Sequence, residues 1–330
     1  MRAKNRNANV SGMQAVSSSV IVPDNRTLHK QRPIQIRVAE YCKRYWQLWL
    51  MALPGVCFVA LFSYVPMYGI QLAFRQYDPT KGLTGGRWVG FMYFRQFFNA
   101  PQFSNLLFNT FRISLWTLVM GFIFPIILAL LINQIGSTKV KGFVQTITYM
   151  PHFISTVVIV TMINIFLSPD TGMLAKLFGG ANLLAQPNAF TPIYWITEVW
   201  QHCGWNCIIY LAALSSVDTA LYEAAKIDGA GRLQLIRYVD IPTILPTCGI
   251  LLILNMGNVL NVGFEKIWLM QNTLNQPASE VISTFTYKIG IVGNQFSYST
   301  AIGLFNTVIN FIFLMIANQV ARKASDTSIF

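Results

Sequence analysis

Long intervals without a single charged residue govern what this chain can fold into. No charge occurs between Arg44 and Arg75, between Arg112 and Lys139, or between Lys141 and Asp170. The interval from Lys176 to Asp218 is interrupted only by Glu198, and two more run from Asp240 to Glu265 and from Lys288 to Arg322. A helix crossing the hydrocarbon core of a bilayer needs about 20 mostly apolar residues, and each interval is long enough. Only 11% of the residues are charged, against about 25% in a typical soluble domain. That leaves too little polar surface to cover a water-soluble globule. The expected fold is all-α: a polytopic membrane protein with six transmembrane helices near 46–73, 110–133, 143–167, 193–214, 243–264 and 299–321.

The first apolar run is too long for the core of a signal peptide, and no small-residue cleavage site follows it. It reads as an uncleaved span, with Pro54 and Pro66 tolerated because neighbouring groups can satisfy the freed carbonyls. Residues 1–45 are polar and basic and read as a cytoplasmic tail, disordered over most of its length. The transmembrane domain is expected over 46–321, with a short cytoplasmic tail at 322–330. Nine of the 24 Lys and Arg lie in the first tail, which places the N-terminus, and with six spans also the C-terminus, inside. Without that tail the basic residues divide evenly between the two sides, so the orientation rests on it. The net charge of +12 therefore reads as membrane orientation and attraction to lipid headgroups, not as a nucleic-acid surface. The five cysteines form no CxxC pair. His202, Cys203 and Cys207 read as polar and small residues packed between helices, with no metal site and no catalytic group.

The segment 215–242, between the fourth and fifth spans, carries the most information. Ala220–Ile227 is a good helix former, Asp228-Gly229 is a turn pair, and Leu233, Ile236 and Val239 share one face of a second helical stretch. Pro242 is expected to close that stretch and open the fifth span. On physics alone this could be an ordinary amphipathic lead-in to a span. The residue pattern is more specific: Glu223-Ala224-Ala225, three residues, Gly229, nine residues, then Val239-Asp240-Ile241-Pro242. It resembles the EAA loop of binding-protein-dependent ABC importer permeases, with Val239 and Ile241 replacing the usual Ile and Leu. Asp228-Gly229-Ala230 matches the sugar-importer form.

The resemblance extends over nearly all of the chain after the tail. Val65-Pro66-Met67-Tyr68-Gly69, Trp88-Val89-Gly90-Phe91, Asn109-Thr110, Met150-Pro151-His152-Phe153-Ile154-Ser155 and Ala301-Ile302-Gly303-Leu304-Phe305 are similar to permeases for poly- and oligosaccharides, relatives of the alginate and maltose importers. The resemblance implies a bacterial cytoplasmic-membrane subunit that pairs with a second, homologous permease. It also implies two ATPase subunits below and an extracytoplasmic solute-binding protein that delivers a carbohydrate. In that setting Glu223, Ala224, Ala225, Asp228, Gly229 and Pro242 form the ATPase-coupling loop. No G-x-x-x-x-G-K-[ST] occurs, since Gly136-Ser-Thr-Lys139 is too short. ATP and Mg are therefore expected on the partner ATPase, and no cofactor in this chain.

The translocation path is less legible. Asn255, Asn258 and Asn261 recur at a spacing of three on the expected fifth helix. Asn is costly against lipid, so these face protein or a wet cavity, as interhelical hydrogen bonds or as a wall for sugar hydroxyls. Trp205 and Tyr210 lie deeper than an interfacial belt and could stack on sugar rings. Two other readings stay open: a permease of the same superfamily for a peptide, osmolyte or anion, and a secondary transporter or membrane-embedded enzyme. Against the latter, the only carboxylate inside the expected spans is Glu198.

Overall fold

The computed structural model describes residues 44–83, 85–169, 172–177 and 179–325. The expected disorder of the tail concerns residues that, apart from Arg44 and Tyr45, lie outside this set. The described chain is helical, and its only β pairing among these residues is two isolated bridges, Arg75 with Trp88 and Asp78 with Gly82.

The chain divides into two units at Tyr64. The first comprises α1 (Trp46–Val59) and a π-helical turn over Ala60–Tyr64. Its residues are apolar on every face and exposed on every face, the pattern of a helix whose surroundings are themselves apolar.

The second unit starts with a 3-10 segment, Val65–Phe74, then α2 (Met92–Phe98), α3 (Phe103–Asn133) and α4 (Thr138–Tyr149). A short 3-10 turn, Met150–Phe153, leads to α5 (Thr156–Phe166), followed by α6 (Met173–Leu177) and α7 (Pro187–Ser215). Then come α8 (Thr219–Ile227), α9 (Arg232–Leu235), a π-helical turn over Ile236–Asp240, and α10 (Ile241–Met256). The chain closes with α11 (Phe264–Met270), α12 (Gln276–Ser279), α13 (Ile282–Tyr287) and α14 (Phe296–Ser325).

Four helical runs are continuous and apolar enough to span a membrane: Trp46–Phe74, Phe103–Asn133, Arg232–Met256 and Phe296–Val320. Two bent pairs bring the number to six if each counts as one span. Two expected spans need correction. The third, expected as one span near 143–167, is broken: Thr138–Phe153 and Thr156–Phe166 meet at 95°. Ile154 and Ser155 are extended, and the Ser155 hydroxyl caps the second half by accepting from Val158 N at 3.4 Å. The fifth, expected over 243–264, runs instead from Arg232 to Met256. It passes through Pro242 because the π-helical turn immediately before loosens the ladder where the ring would collide with a carbonyl. It stops at Met256 where Gly257 and Asn258, both poor helix formers, follow.

The helices pack around three apolar clusters. Ile113, Ile159, Ile163, Phe190, Tyr194 and Ile267 form one between α3, α5, α7 and α11. Ala129, Ile132, Tyr210, Leu211, Leu214 and Ile244 form another where α3, α7 and α10 converge beside the 215–242 loop. Phe97, Leu106, Ile282, Phe285, Tyr298 and Ile302 join α2, α3, α13 and α14. Small residues and hydroxyls set the closest approaches. A Cβ on Gly204 of α7 would stand 2.0 Å from Thr148 O of α4, so only glycine fits there. The Thr110 hydroxyl accepts from Ile282 N at 3.0 Å, and Asn109 Nδ2 donates to Pro277 O at 2.8 Å. The Asn-Thr pair thus fastens α3 to the α12–α13 turn.

Candidate functional site

The 215–242 loop is built by local rules. The Asp218 carboxylate caps α8 by accepting from Ala220 N at 2.9 Å. At the other end Gly229 N donates to Lys226 O at 3.0 Å and Ala230 N to Ala225 O at 2.9 Å, the paired bonds of a Schellman closure. That closure requires a left-handed residue after the helix, and Gly229 has φ +81°. Nothing lies within 4 Å of where a Cβ on Gly229 would sit, so its constraint is the backbone angle alone. Gly231 N then donates to Gln234 Oε1 at 2.7 Å and the helix restarts.

Among the described residues the loop presents an apolar surface with no partner. Leu221, Ile227, Leu233 and Tyr238 are all exposed, Ile227 and Leu233 by more than four-fifths. Glu223, Ala224 and Asp228 lie exposed on the same stretch and Ala225 is half-buried. Exposed apolar groups rimmed by charge mark an interaction surface. Pro242 lies inside the continuous Arg232–Met256 helix, at the join of loop and span.

Beneath this surface Asp240 is completely buried. Its Oδ1 accepts from the Tyr222 hydroxyl at 2.5 Å and from Asn133 Nδ2 at 3.3 Å, and its Oδ2 accepts from Gln134 Nε2 at 2.8 Å. Burial, and then the hydrogen bond to Asp240, pushes the Tyr222 phenol up to about 12, so it remains a donor throughout the physiological range. Three elements meet at one carboxylate: α8, the end of α3, and the root of α10. Sequence reasoning placed Asp240 only as a spacer in the motif. Its donors lie 18, 106 and 107 positions away, beyond any local pattern.

A polar cavity of about 340 Å³ opens between α3, α7 and the end of α10. Asn255, Asn258 and Asn261 all line it, with Asn206, Glu198 and His202. Of the three recurring asparagines Asn255 alone is on a helix; Asn258 lies in the turn beyond Met256 and Asn261 in the irregular stretch after it, which corrects the expected single helical stripe. Asn261 also binds α14: its Oδ1 accepts from Asn306 Nδ2 at 3.0 Å and Asn310 Nδ2 at 3.3 Å. The same residues therefore serve helix association and the cavity wall. Trp205 and Tyr210 do not line this cavity. Trp205 is exposed and its ring lies flat on His152, with 4.6 Å between centroids. Tyr210 is buried among Leu211, Leu214 and Ile244.

One wall of the cavity is part of a relay that sequence reasoning did not assemble. Lys266 is buried, with its Nζ 2.7 Å from Glu198 Oε2. Glu198 Oε1 lies 3.4 Å from His202 Nε2, and His202 Nδ1 lies 2.9 Å from His152 Nδ1. At the His202–His152 contact one Nδ1 donates and the other accepts, as the tautomers of the two rings dictate. The broken third span, α7 and α11 are joined by this chain of four side chains. The signal was present in Glu198, since a lone carboxylate inside a span calls for a buried cation. Among the described residues, no three His, Cys, Asp or Glu side chains gather as a metal would require.

Comparison with known proteins gives consistent matches. Residues 121–326 match the family described as binding-protein-dependent transport system inner membrane component. The chain is 42% identical to the polygalacturonan/rhamnogalacturonan transport system permease protein YteP of Bacillus subtilis (strain 168), over 86% of this chain and 90% of that protein. It is 39% identical to protein LplB of the same organism, over 87% and 92%. Among solved structures, a chain of a bacterial ABC transporter involved in the import of the acidic polysaccharide alginate superposes with a TM-score of 0.80. That match is 38% identical and covers 88% of this chain and 99% of the other. A chain of the alginate transporter in complex with a pentasaccharide-bound periplasmic protein gives 0.81 at the same identity, over 89% and 100%.

Proposed function

The chain belongs to the family of binding-protein-dependent transport system inner membrane components, membrane permeases that do not themselves catalyse a reaction, and from this we propose that it forms half of the translocation pathway for an oligosaccharide. Two of the proteins named above are described as transporting polygalacturonan/rhamnogalacturonan and alginate, and this supports a polysaccharide fragment as cargo. A second, homologous permease supplies the other half of the pathway. Two ATPase subunits bind the cytoplasmic face and hold ATP and Mg, and an extracytoplasmic binding protein delivers the sugar. Both termini are cytoplasmic, as the basic tail supports.

The observation that carries this reading is the 215–242 loop. It is a helix capped at Asp218, closed at Gly229, and mounted on a span through a continuous helix. Its exposed Leu221, Ile227 and Leu233 offer the apolar surface, and Glu223 the polar anchor, on which an ATPase groove closes. Movement of the ATPase pair displaces the loop, and the rigid helix from Arg232 to Met256 carries that displacement to Asn255 and the cavity wall. The cavity suits sugar hydroxyls: four asparagines offer donors and acceptors together, and the Glu198 charge is offset by Lys266.

The test is reconstitution of the four-subunit complex in proteoliposomes with ATP and the binding protein, scanning a panel of oligosaccharides. A galacturonate- or alginate-type oligosaccharide should stimulate ATP hydrolysis and be taken up. Stimulation by peptides or osmolytes, and by no saccharide, would transfer the chain to another branch of the family.

A further inference from the structure

The motif that defines the loop leaves position 240 open, yet Asp240 is its most deeply buried residue and the only carboxylate there enclosed by the fold. Burying a carboxylate is unfavourable unless its oxygens are hydrogen-bonded and its charge compensated. Among the described residues Asp240 forms no ion pair; a phenol and two carboxamides alone meet its oxygens. An apolar residue would pack there at less expense. What the carboxylate adds is geometry, because its two oxygens together hold a donor from α8 and two from the end of α3 against the root of α10.

Resting on the proposed function, we propose that Asp240 is the positioning residue of the coupling step: a clasp that makes α8, the end of α3 and the root of α10 move as one body. Tyr222 is the contact on the loop side, two turns of sequence from Gly229 and adjacent to the exposed Glu223. Asn133 and Gln134 are the contacts on the span side, at the last residues of α3. The Asn133 Nδ2 group also lies 3.2 Å from the Tyr222 hydroxyl, which closes the network into a triangle. Without the clasp, α8 would remain tethered only by residues 216–218 and 228–231, outside the helices. Displacement of the loop would then be absorbed in those turns. With it, a push on α8 reaches α3 and α10 directly, and both line the polar cavity through Ser114, Thr117 and Asn255.

The experiment uses the complete complex in proteoliposomes and reads two quantities: ATPase subunits retained on co-purification, and sugar transported per ATP hydrolysed. Tyr222→Phe deletes one hydroxyl and keeps the ring; Asp240→Asn keeps the shape but turns one acceptor into a donor facing a donor. Both should retain the ATPase subunits and lower the transport-to-hydrolysis ratio by roughly tenfold, the weight of one hydrogen bond to a charged group. Gln134→Leu should do the same more weakly. An unchanged ratio in both Tyr222→Phe and Asp240→Asn overturns the inference. So does loss of the ATPase subunits in both, which would reduce the network to a role in assembly. A wild-type complex that neither retains ATPase subunits nor transports sugar overturns the proposed function instead.

Discussion

His152 and His202 face each other Nδ1 to Nδ1 at 2.9 Å, a contact that holds only while a single proton lies between the two atoms. It fastens the break in the third span to α7, and Trp205 lies flat against the ring of His152. Replacing His152 by Phe keeps a ring for Trp205 to stack on but deletes the hydrogen bond to His202. The expected result is a loss of about 1 kcal/mol of stability, the net worth of one hydrogen bond, read by thermal unfolding in detergent. His152→Ala should lose more, because the stacking goes as well.

The ion pair of Lys266 with Glu198 makes a sharper prediction. Glu198→Gln leaves a buried ammonium without its partner, at a cost of about 3 kcal/mol. Glu198→Gln combined with Lys266→Met removes both charges and should recover much of the loss. A double-mutant cycle on thermal stability checks this, and additive losses in the double variant would mean the two side chains are not coupled.

Gly204 tests the packing of α7 on α4. An added Cβ would meet the Thr148 carbonyl at 2.0 Å, so even Gly204→Ala forces the two helices apart. The expected cost is about 1–3 kcal/mol, with lower yield of folded protein. Gly303→Ala on α14, where nothing lies within 4 Å of the new atom, should be neutral in the same assay.

Topology is checked by single cysteines and membrane-impermeant thiol reagents in whole cells. Positions 223 and 233 should be protected, and positions 180 and 274 labelled. The opposite pattern would place the loop on the wrong side for contact with an ATPase.

The sequence and the structure agree where the governing physics is local. Charge-free runs mark apolar helices because every backbone group in lipid must bond within its own helix, and Phe103–Asn133 and Phe296–Ser325 lie where such runs lie. Gly229 was legible for the same reason: a glycine two residues past a good helix is the signature of a left-handed closure. The right-angle break at Ile154-Ser155 was hidden, since the charge-free interval from Lys141 to Asp170 continues through it. The fifth helix was displaced because Pro242 reads as a start, whereas a π-helical turn carries the helix through it. Asp240 with Asn133, and Glu198 with Lys266, were illegible because they join residues 107 and 68 positions apart. No periodicity reports such pairs.

Gly229→Val addresses the central claim most directly. The left-handed backbone angle strains a β-branched residue by about 1–3 kcal/mol, while the open space around the position leaves the spans untouched. Gly229→Asn, which tolerates that angle, serves as the control. The measurement is uptake of a labelled oligosaccharide by proteoliposomes holding the full complex, with co-purification of the ATPase read on the same preparations. Gly229→Val should lose uptake and sugar-stimulated ATP hydrolysis together while Gly229→Asn keeps most of both. Wild-type uptake and ATPase retention in Gly229→Val would contradict the account, and the 215–242 loop would then be no more than an amphipathic approach to α10.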